Sequence, residues 1–395
     1  MEPACTPWIR SLTAGVVLAA LAGCSALAPP PSPAPLLHDA LFDHPARPAE
    51  ADAAMAVDDA MRHYVRGVLP GAARDRGRPR ALADALYAPG QLKLEYDAAV
   101  TRTAAQAFAA RSGNCLSLVL MTAALAREMG LDVVFQSARW VETYSRSGDL
   151  TFYNGHVNLV LARAALPAYR DAGHHTRAAD ALQIDFLPPE ALGGLRSVRI
   201  SEQRVRAMFM NNRAVETLTA GPLASAYAWV RESLREDPGF WPAYNTLGVV
   251  YQRAGHLAQA AAALEHALAH DPSAVPAMAN QAQVLRSLGR HDEAAVWNAR
   301  RAALEPNAPF HFLRQAEVAL AQGEVDRAEA LLDREQAVTG RTHDLHFLRA
   351  RLHLARGERA RAAQALREAA AASDSPGQQQ AYAAKLERLR AAGTP

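Results

Sequence analysis

A 34-residue period in the second half of the chain constrains the fold more than any other feature. Glycines recur at this interval, an alanine follows each glycine by five residues, and three prolines keep the same spacing. The positions are Gly221, Gly255, Gly289, Gly323, Gly357, Ala226, Ala260, Ala294, Ala328, Ala362, Pro238, Pro272 and Pro306. A unit of this length cannot bury its apolar face alone, so neighbouring copies must stack. The period predicts about five stacked helical hairpins over residues 207–376.

The clearest copy is WPAYNTLGVVYQRAGHLAQAAAALEHALAHDP, which runs from Trp241 to Pro272. It resembles the tetratricopeptide repeat, with small Gly248 and Ala260 where the two helices approach and Gly255 at the turn between them. The resemblance implies an all-α superhelix whose groove binds a protein or peptide. Residues 377–395 are expected to form a capping helix and tail.

The N-terminus has the pattern of a bacterial targeting segment. Arg10 precedes the apolar run LTAGVVLAALA, which is too short to span a bilayer as a mature helix. The run ends in Leu21-Ala22-Gly23-Cys24, which resembles the lipobox of bacterial lipoproteins. The resemblance implies a signal peptide over residues 1–23 and an acylated Cys24 that anchors the protein to a membrane. A plain secretory signal with an incidental cysteine is the alternative.

The residues after the lipobox predict a tether and a destination. PPPSPAPL is typical of a stiff, extended segment, so residues 24–49 are predicted to hold the folded part away from the membrane. In the lipoprotein family, a serine such as Ser25 after the cysteine favours the outer membrane. We therefore expect a protein of the cell envelope that faces the periplasm.

One cysteine stays unexplained once Cys5 leaves with the signal peptide and Cys24 is acylated. Cys115 begins an apolar helix in the stretch RSGNCLSLVLMTAALAREMG, and Asn114 belongs to the cap region before it. The positive end of a helix dipole favours a thiolate. A lone thiol at this place is either buried and inert or a nucleophile.

Two predicted strands follow this helix and carry polar residues in a fixed pattern. In FYNGHVNLVLA, side-chain alternation places Asn154, His156 and Asn158 on one face of a strand. In ALQIDF, Leu182 and Ile184 share a face and Asp185 points the other way. A histidine between two asparagines is typical of a site, although a structural histidine would fit the same pattern.

A cysteine at a helix start, a histidine on one strand and an aspartate on the next resemble the transglutaminase-like, or papain-like, cysteine enzymes. The resemblance implies an α+β domain, placed here at residues 50–206. It also implies that Cys115 is the nucleophile, His156 the general base and Asp185 the residue that orients the imidazole. The backbone N–H of Cys115 would stabilise the oxyanion, with Asn114 or Tyr96 as a second donor.

Charge and residue clusters narrow the function further. A net charge of +2 predicts no strong attraction to nucleic acid. Neither a cofactor nor a metal site is expected, because the helically spaced pairs His266/His270 and His343/His346 are typical of a solvated surface.

The leading hypothesis is a lipid-anchored thiol enzyme that acts on protein or peptide amides, with hydrolysis favoured over transfer to an amine. The rival is an inactive scaffold that binds partners through its repeats.

Overall fold

Mixed α/β structure precedes a long helical array in the computed structural model. The structure describes residues 33–97, 100–147, 150–163, 181–186, 196–305, 310–373 and 376–391, and side chains between 138 and 155 are outside that description. The predicted signal peptide and Cys24 therefore lie outside the described residues. Within the described ranges, no helix combines the length and apolar character needed to cross a membrane.

The described residues of the first part contain five α-helices and six strands. The helices are α1 Asp59–Gly67, α2 Leu69–Arg76, α3 Arg78–Tyr87, α4 Ala104–Ala110 and α5 Cys115–Glu128. The strands are β1 Glu95–Tyr96, β2 Ser112–Gly113, β3 Leu131–Ser147, β4 Leu150–Arg163, β5 Ala181–Ile184 and β6 Arg196–Ile200. β1 and β2 form a short parallel pair, and the other four form an antiparallel sheet in the order β5-β4-β3-β6.

Helix α5 lies in the centre of this part. Every side chain from Leu116 to Ala126 is buried, so the helix is enclosed all round, where the sequence indicated one apolar stripe. The predicted ends are confirmed: Asn114 is the N-cap, and Gly130 follows the last turn with a φ of +71°. Residues of α5, β3 and β4 share one hydrophobic core.

Eleven further helices form the array over the described residues from 202 onward. They are α6 Glu202–Ala220, α7 Leu223–Glu236, α8 Trp241–Arg253, α9 Leu257–His270, α10 Val275–Ser287, α11 His291–Leu304, α12 His311–Ala321, α13 Val325–Thr339, α14 His343–Ala355, α15 Arg359–Ala371 and α16 Pro376–Ala391. Helices α6 to α15 pair into the five predicted hairpins, and α16 follows as the expected last helix. The domain boundary predicted between residues 206 and 207 falls inside α6.

Small residues let the hairpin helices pack closely. A Cβ added at Gly248 would lie 2.5 Å from Cγ of Leu264 on the partner helix, closer than two carbon atoms can approach. The five periodic alanines are at most 1% exposed. Four periodic glycines have φ between +76° and +82° at the turn, whereas Gly221 is extended, so the first hairpin turns differently.

Residues 34–49, predicted as part of an extended tether, instead fold against the first two repeats. They contain the 3₁₀ helices Ala34–Leu36 and Asp39–Phe42 and the start of Ala49–Ala51. The ring of Phe42 stacks on Tyr227 with centroids 4.3 Å apart, and the Tyr227 hydroxyl donates to Asp39 at 2.8 Å. Burial of this aromatic ring and pairing of the carboxylate outweigh the stiffness that the prolines favour.

The hydrophobic core of the described residues is divided along the array. One core extends from Phe42 to Val284 and joins the α/β part to the first three repeats. A second core lies between Phe310 and Leu352. There the buried Glu335 of α13 accepts backbone N–H groups at the start of α12, including that of Phe310 at 2.8 Å. The first repeats are therefore part of the same folded body as α5.

Gly248→Ala should lower the free energy of unfolding by about 1–3 kcal/mol, because the added methyl forces α8 and α9 apart. Gly71→Ala is the matched control, since a Cβ added at that helical glycine would have no neighbour within 4 Å. Urea denaturation of both variants measures the difference. Equal stabilities would show that close contact at Gly248 does not hold the repeat together.

Candidate active site

The turn that carries Cys115 is fixed by the two residues before it. The Asn114 side chain accepts the backbone N–H of Ser117 at 2.9 Å and so caps α5. Gly113 is buried, and a Cβ at that position would lie 2.7 Å from the Cβ of Ser117. Only glycine fits at position 113. Cys115, the first residue of α5, is half-buried.

The remaining groups of the cap hold a neighbouring loop. The Asn114 amide donates to the Thr101 hydroxyl at 2.8 Å, and the Ser117 hydroxyl accepts the backbone N–H of Arg102 at 2.8 Å. Both ends of the Asn114 side chain are thus used by the cap and the loop. The amide has a second N–H, so the role of Asn114 as an oxyanion donor stays a prediction.

His156 and Asp185 form a buried pair. His156, 3% exposed on β4, has its Nε2 atom 2.8 Å from Oδ1 of Asp185. Leu159 is paired with Ile184, so the next step of the register sets Asp185 opposite Asn158, on the same face as His156. The Asn158 amide donates to Oδ2 of Asp185 at 2.8 Å. Both carboxylate oxygens are therefore bound by residues two apart on β4.

The thiol of Cys115 lies near enough to the imidazole to contribute to the raised pKa of His156. Because Nε2 is bound to Asp185, Nδ1 is the nitrogen left for the thiol. Burial lowers the pKa of His156, but its hydrogen bonds to Asp185 and Cys115 and the charges of both residues outweigh burial and raise the pKa to about 9. The site thus favours a protonated imidazole beside the sulfur atom.

The other predicted site residues have different surroundings. The side chain of Asn154 lies outside the described residues. Tyr96 pairs through its backbone with Gly113, two residues before the thiol, and its ring is exposed. Asn158 is fully buried, and its Oδ1 atom has no hydrogen-bond partner among the described residues. Asn158 is therefore placed to orient Asp185. Tyr96 lies beside the turn that carries Cys115.

Tyr87 was not singled out from the sequence, although it contacts the site. Its hydroxyl donates to the backbone carbonyl of Asp185 at 2.9 Å, from a position 98 residues earlier on α3. Nothing in the local sequence of α3 signals this contact, because it exists only once α3 packs beside the end of β5. The residues that hold Asp185 thus come from two distant segments.

The histidine pairs differ from one another. Nε2 of His266 and Nε2 of His270 are 3.2 Å apart on α9, and His270 is exposed. His346 is buried, contrary to the surface position predicted for it. Within the described part of the chain, no group of three or more His, Cys, Asp or Glu residues could hold a metal ion.

Family comparison identifies the helical array. Residues 245–309 and 313–376 match the tetratricopeptide repeat family. Over these residues, the predicted repeats are tetratricopeptide repeats. Such repeats are typical of scaffolds for protein–protein interaction. No curated protein matches the chain.

Several solved structures similar to this chain are tetratricopeptide repeat proteins. A tetratricopeptide repeat protein from Parabacteroides merdae is 21% identical over 46% of this chain and 70% of its own, with a TM-score of 0.33. TTC0263 from Thermus thermophilus is 19% identical over 46% of this chain and 98% of its own, with a TM-score of 0.32. YrrB, a repeat protein with an unusual peptide-binding site, is 19% identical over 44% and 89%, with a TM-score of 0.25.

Asp185→Asn should lower the pKa of His156 from about 9. The variant removes the carboxylate charge that counteracts the lowering of this pKa by burial. Titration of the histidine ring protons by NMR measures this pKa, and Asp84→Asn on α3 is a control.

A pKa raised above the unfolded value near 6.5 stabilises the fold below pH 6.5, and that stability is lost as the pH rises through 9. The wild type should lose on the order of 1–3 kcal/mol over this range, and Asp185→Asn less. Equal losses would contradict the assignment.

Proposed function

We propose that this protein is a lipid-anchored thiol enzyme of the cell envelope that cleaves amide bonds in proteins or peptides. The observation that carries the proposal is the convergence of Cys115, His156 and Asp185 at the start of a buried helix. An inert cysteine requires neither a buried histidine nor a carboxylate bound on both oxygens. A transglutaminase-like fold for the first part of the chain belongs to the same proposal.

The first half of the reaction follows from this arrangement. The proton on the Cys115 sulfur moves to Nδ1 of His156, and the thiolate attacks the amide carbonyl carbon. The carbonyl oxygen becomes an oxyanion that the backbone N–H of Cys115 stabilises, since first-turn N–H groups have no acceptor inside the helix. His156 then gives its proton to the departing nitrogen. An amine leaves, and a thioester remains on Cys115.

The second half decides the product. Water gives a proton to His156, attacks the thioester and releases a carboxylic acid and the free thiol. An amine in place of water would form a new amide and make the protein a transferase. We favour hydrolysis, because water is abundant in an open site and an amine must be held in place to compete.

Asp185 and Asn158 act on the imidazole. The carboxylate accepts a hydrogen bond from Nε2–H, which leaves Nδ1 toward the sulfur and stabilises the imidazolium. The second carboxylate oxygen is held by Asn158, so Asp185 cannot rotate away without breaking a buried hydrogen bond. Asn158 is thus a positioning residue.

The repeats supply the means to bind a macromolecular partner. Stacked tetratricopeptide repeats present an extended surface that fits a protein or peptide, which agrees with an amide substrate of that size. A lipid on Cys24 would keep both parts at a membrane, with the outer membrane favoured by Ser25. A non-catalytic scaffold is the alternative, and the repeat match favours it equally, so the reactivity of Cys115 distinguishes the two.

The rate of Cys115 alkylation by iodoacetamide tests the proposal. We expect the soluble chain from residue 25 onward to react at pH 6 at least about tenfold faster than free cysteine, whose thiol titrates near 8.5. His156→Ala should remove this advantage, because no imidazolium then stabilises the thiolate.

Ser137→Ala serves as the control, since it changes β3 near the histidine backbone without touching the imidazole. Ordinary reactivity of the wild type that His156→Ala leaves unchanged would rule out the thiol enzyme and leave the scaffold.

Cys24→Ser should release the protein from membranes, because the acyl chains that insert into the bilayer are attached at this residue. Fractionation of cells that express the wild type or the variant measures the membrane-bound share, and metabolic labelling with a fatty acid shows the lipid directly. Equal labelling of both proteins would exclude Cys24 as the anchor.

A further inference from the structure

We infer that Glu216, on the first repeat helix α6, is a positioning residue of the thiol site. This inference rests on the proposed function and adds a regulatory link to it, because it makes a repeat helix part of the site. The basis is a continuous path of hydrogen bonds from the carboxylate of Glu216 to the first turn of α5.

The path begins at the contact between α6 and the loop before α4. Oε1 of Glu216 accepts the backbone N–H of Thr101 at 2.7 Å, and Oε2 accepts from Arg213 at 3.0 Å. Thr101 is buried. Its N–H therefore needs a protein acceptor, and Glu216 provides it from 115 residues away in sequence.

The path continues through the cap of α5. The Thr101 hydroxyl accepts from the Asn114 amide at 2.8 Å, and the Asn114 carbonyl oxygen accepts from the backbone N–H of Ser117 at 2.9 Å. Cys115 lies between these two residues. A change in the position of Thr101 must therefore move the cap or break one of its bonds.

Arg213 extends the same connection into the first repeat. It contacts Glu50 at 3.2 Å in the N-terminal segment, and its guanidinium lies 5.5 Å from the ring centre of Trp229 on α7. Helix α6 thus carries Glu216 and Arg213, and α7 contacts Arg213 through Trp229. Both helices of the first repeat are therefore connected to the loop that contains Thr101. A partner that shifts α6 or α7 on binding would change the geometry at Cys115, so the repeats would regulate the thiol as well as recruit its substrate.

Three variants separate positioning from ordinary packing. Glu216→Leu removes the acceptor of the Thr101 N–H, whereas Glu216→Gln keeps an oxygen there and loses only the charge. Glu236→Gln is the matched control, because Glu236 pairs with Arg206 within the same repeat at 2.9 Å and does not belong to the path.

Two measurements are made on the chain from residue 25 onward: Cys115 alkylation from pH 5 to pH 9, and amide hydrogen exchange over residues 97–118. Glu216→Leu should slow alkylation at pH 6 about tenfold, flatten its pH profile and raise exchange in this segment, as loss of one buried hydrogen bond predicts. Glu216→Gln should stay within about threefold of the wild type, and Glu236→Gln should match it.

A Glu216→Leu variant that melts earlier but keeps the wild-type pH profile and exchange would overturn the inference. If that variant does not fold, Thr101→Val breaks the next link of the path, since it removes the hydroxyl that binds Asn114, and must give the same two changes. A wild type without activated Cys115 would defeat the proposed enzyme instead. The exchange data would then still decide whether Glu216 fixes the cap.

Discussion

The cap at the start of α5 is the interaction on which the candidate site depends. A helix enclosed by protein on all sides cannot leave its whole first turn to water, so protein groups must bind some of its first N–H groups. The Asn114 side chain accepts the N–H of Ser117, and the Ser117 hydroxyl accepts an N–H from the loop before α4. The same requirement fixes the backbone at Cys115, and the thiol takes its position from the way the helix is buried.

Opposite the thiol, a charged pair is held where water is excluded. Burial alone would keep His156 neutral, yet the carboxylate of Asp185 raises its pKa because the two groups are 2.8 Å apart. A buried ion pair is stable only when its remaining polar atoms are bound, and Asn158 and Tyr87 satisfy that condition for Asp185. Three segments of the chain must meet for this pair to form.

The first three repeats and the α/β part share one hydrophobic core. Helix α6 begins directly after β6, contributes Glu216 to the loop beside the thiol turn and pairs with α7 as the first repeat. The segment around Phe42 packs on the same repeat from the other end of the chain. The candidate site and the first repeat therefore share structural elements and are not independent modules.

The sequence by itself determined the features that arise from neighbours along the chain. These are the repeat period with its close helix approach at Gly248, the ends of α5 and the strand alternation that puts His156 and Asn158 on one face. Those patterns reflect local geometry, which residue spacing encodes directly. Tertiary structure alone decided that Glu216 and Tyr87 support the site and that Phe42 packs on the first repeat. These contacts join residues about 100 or more positions apart, and no local period or cap specifies which distant partner completes a buried hydrogen bond.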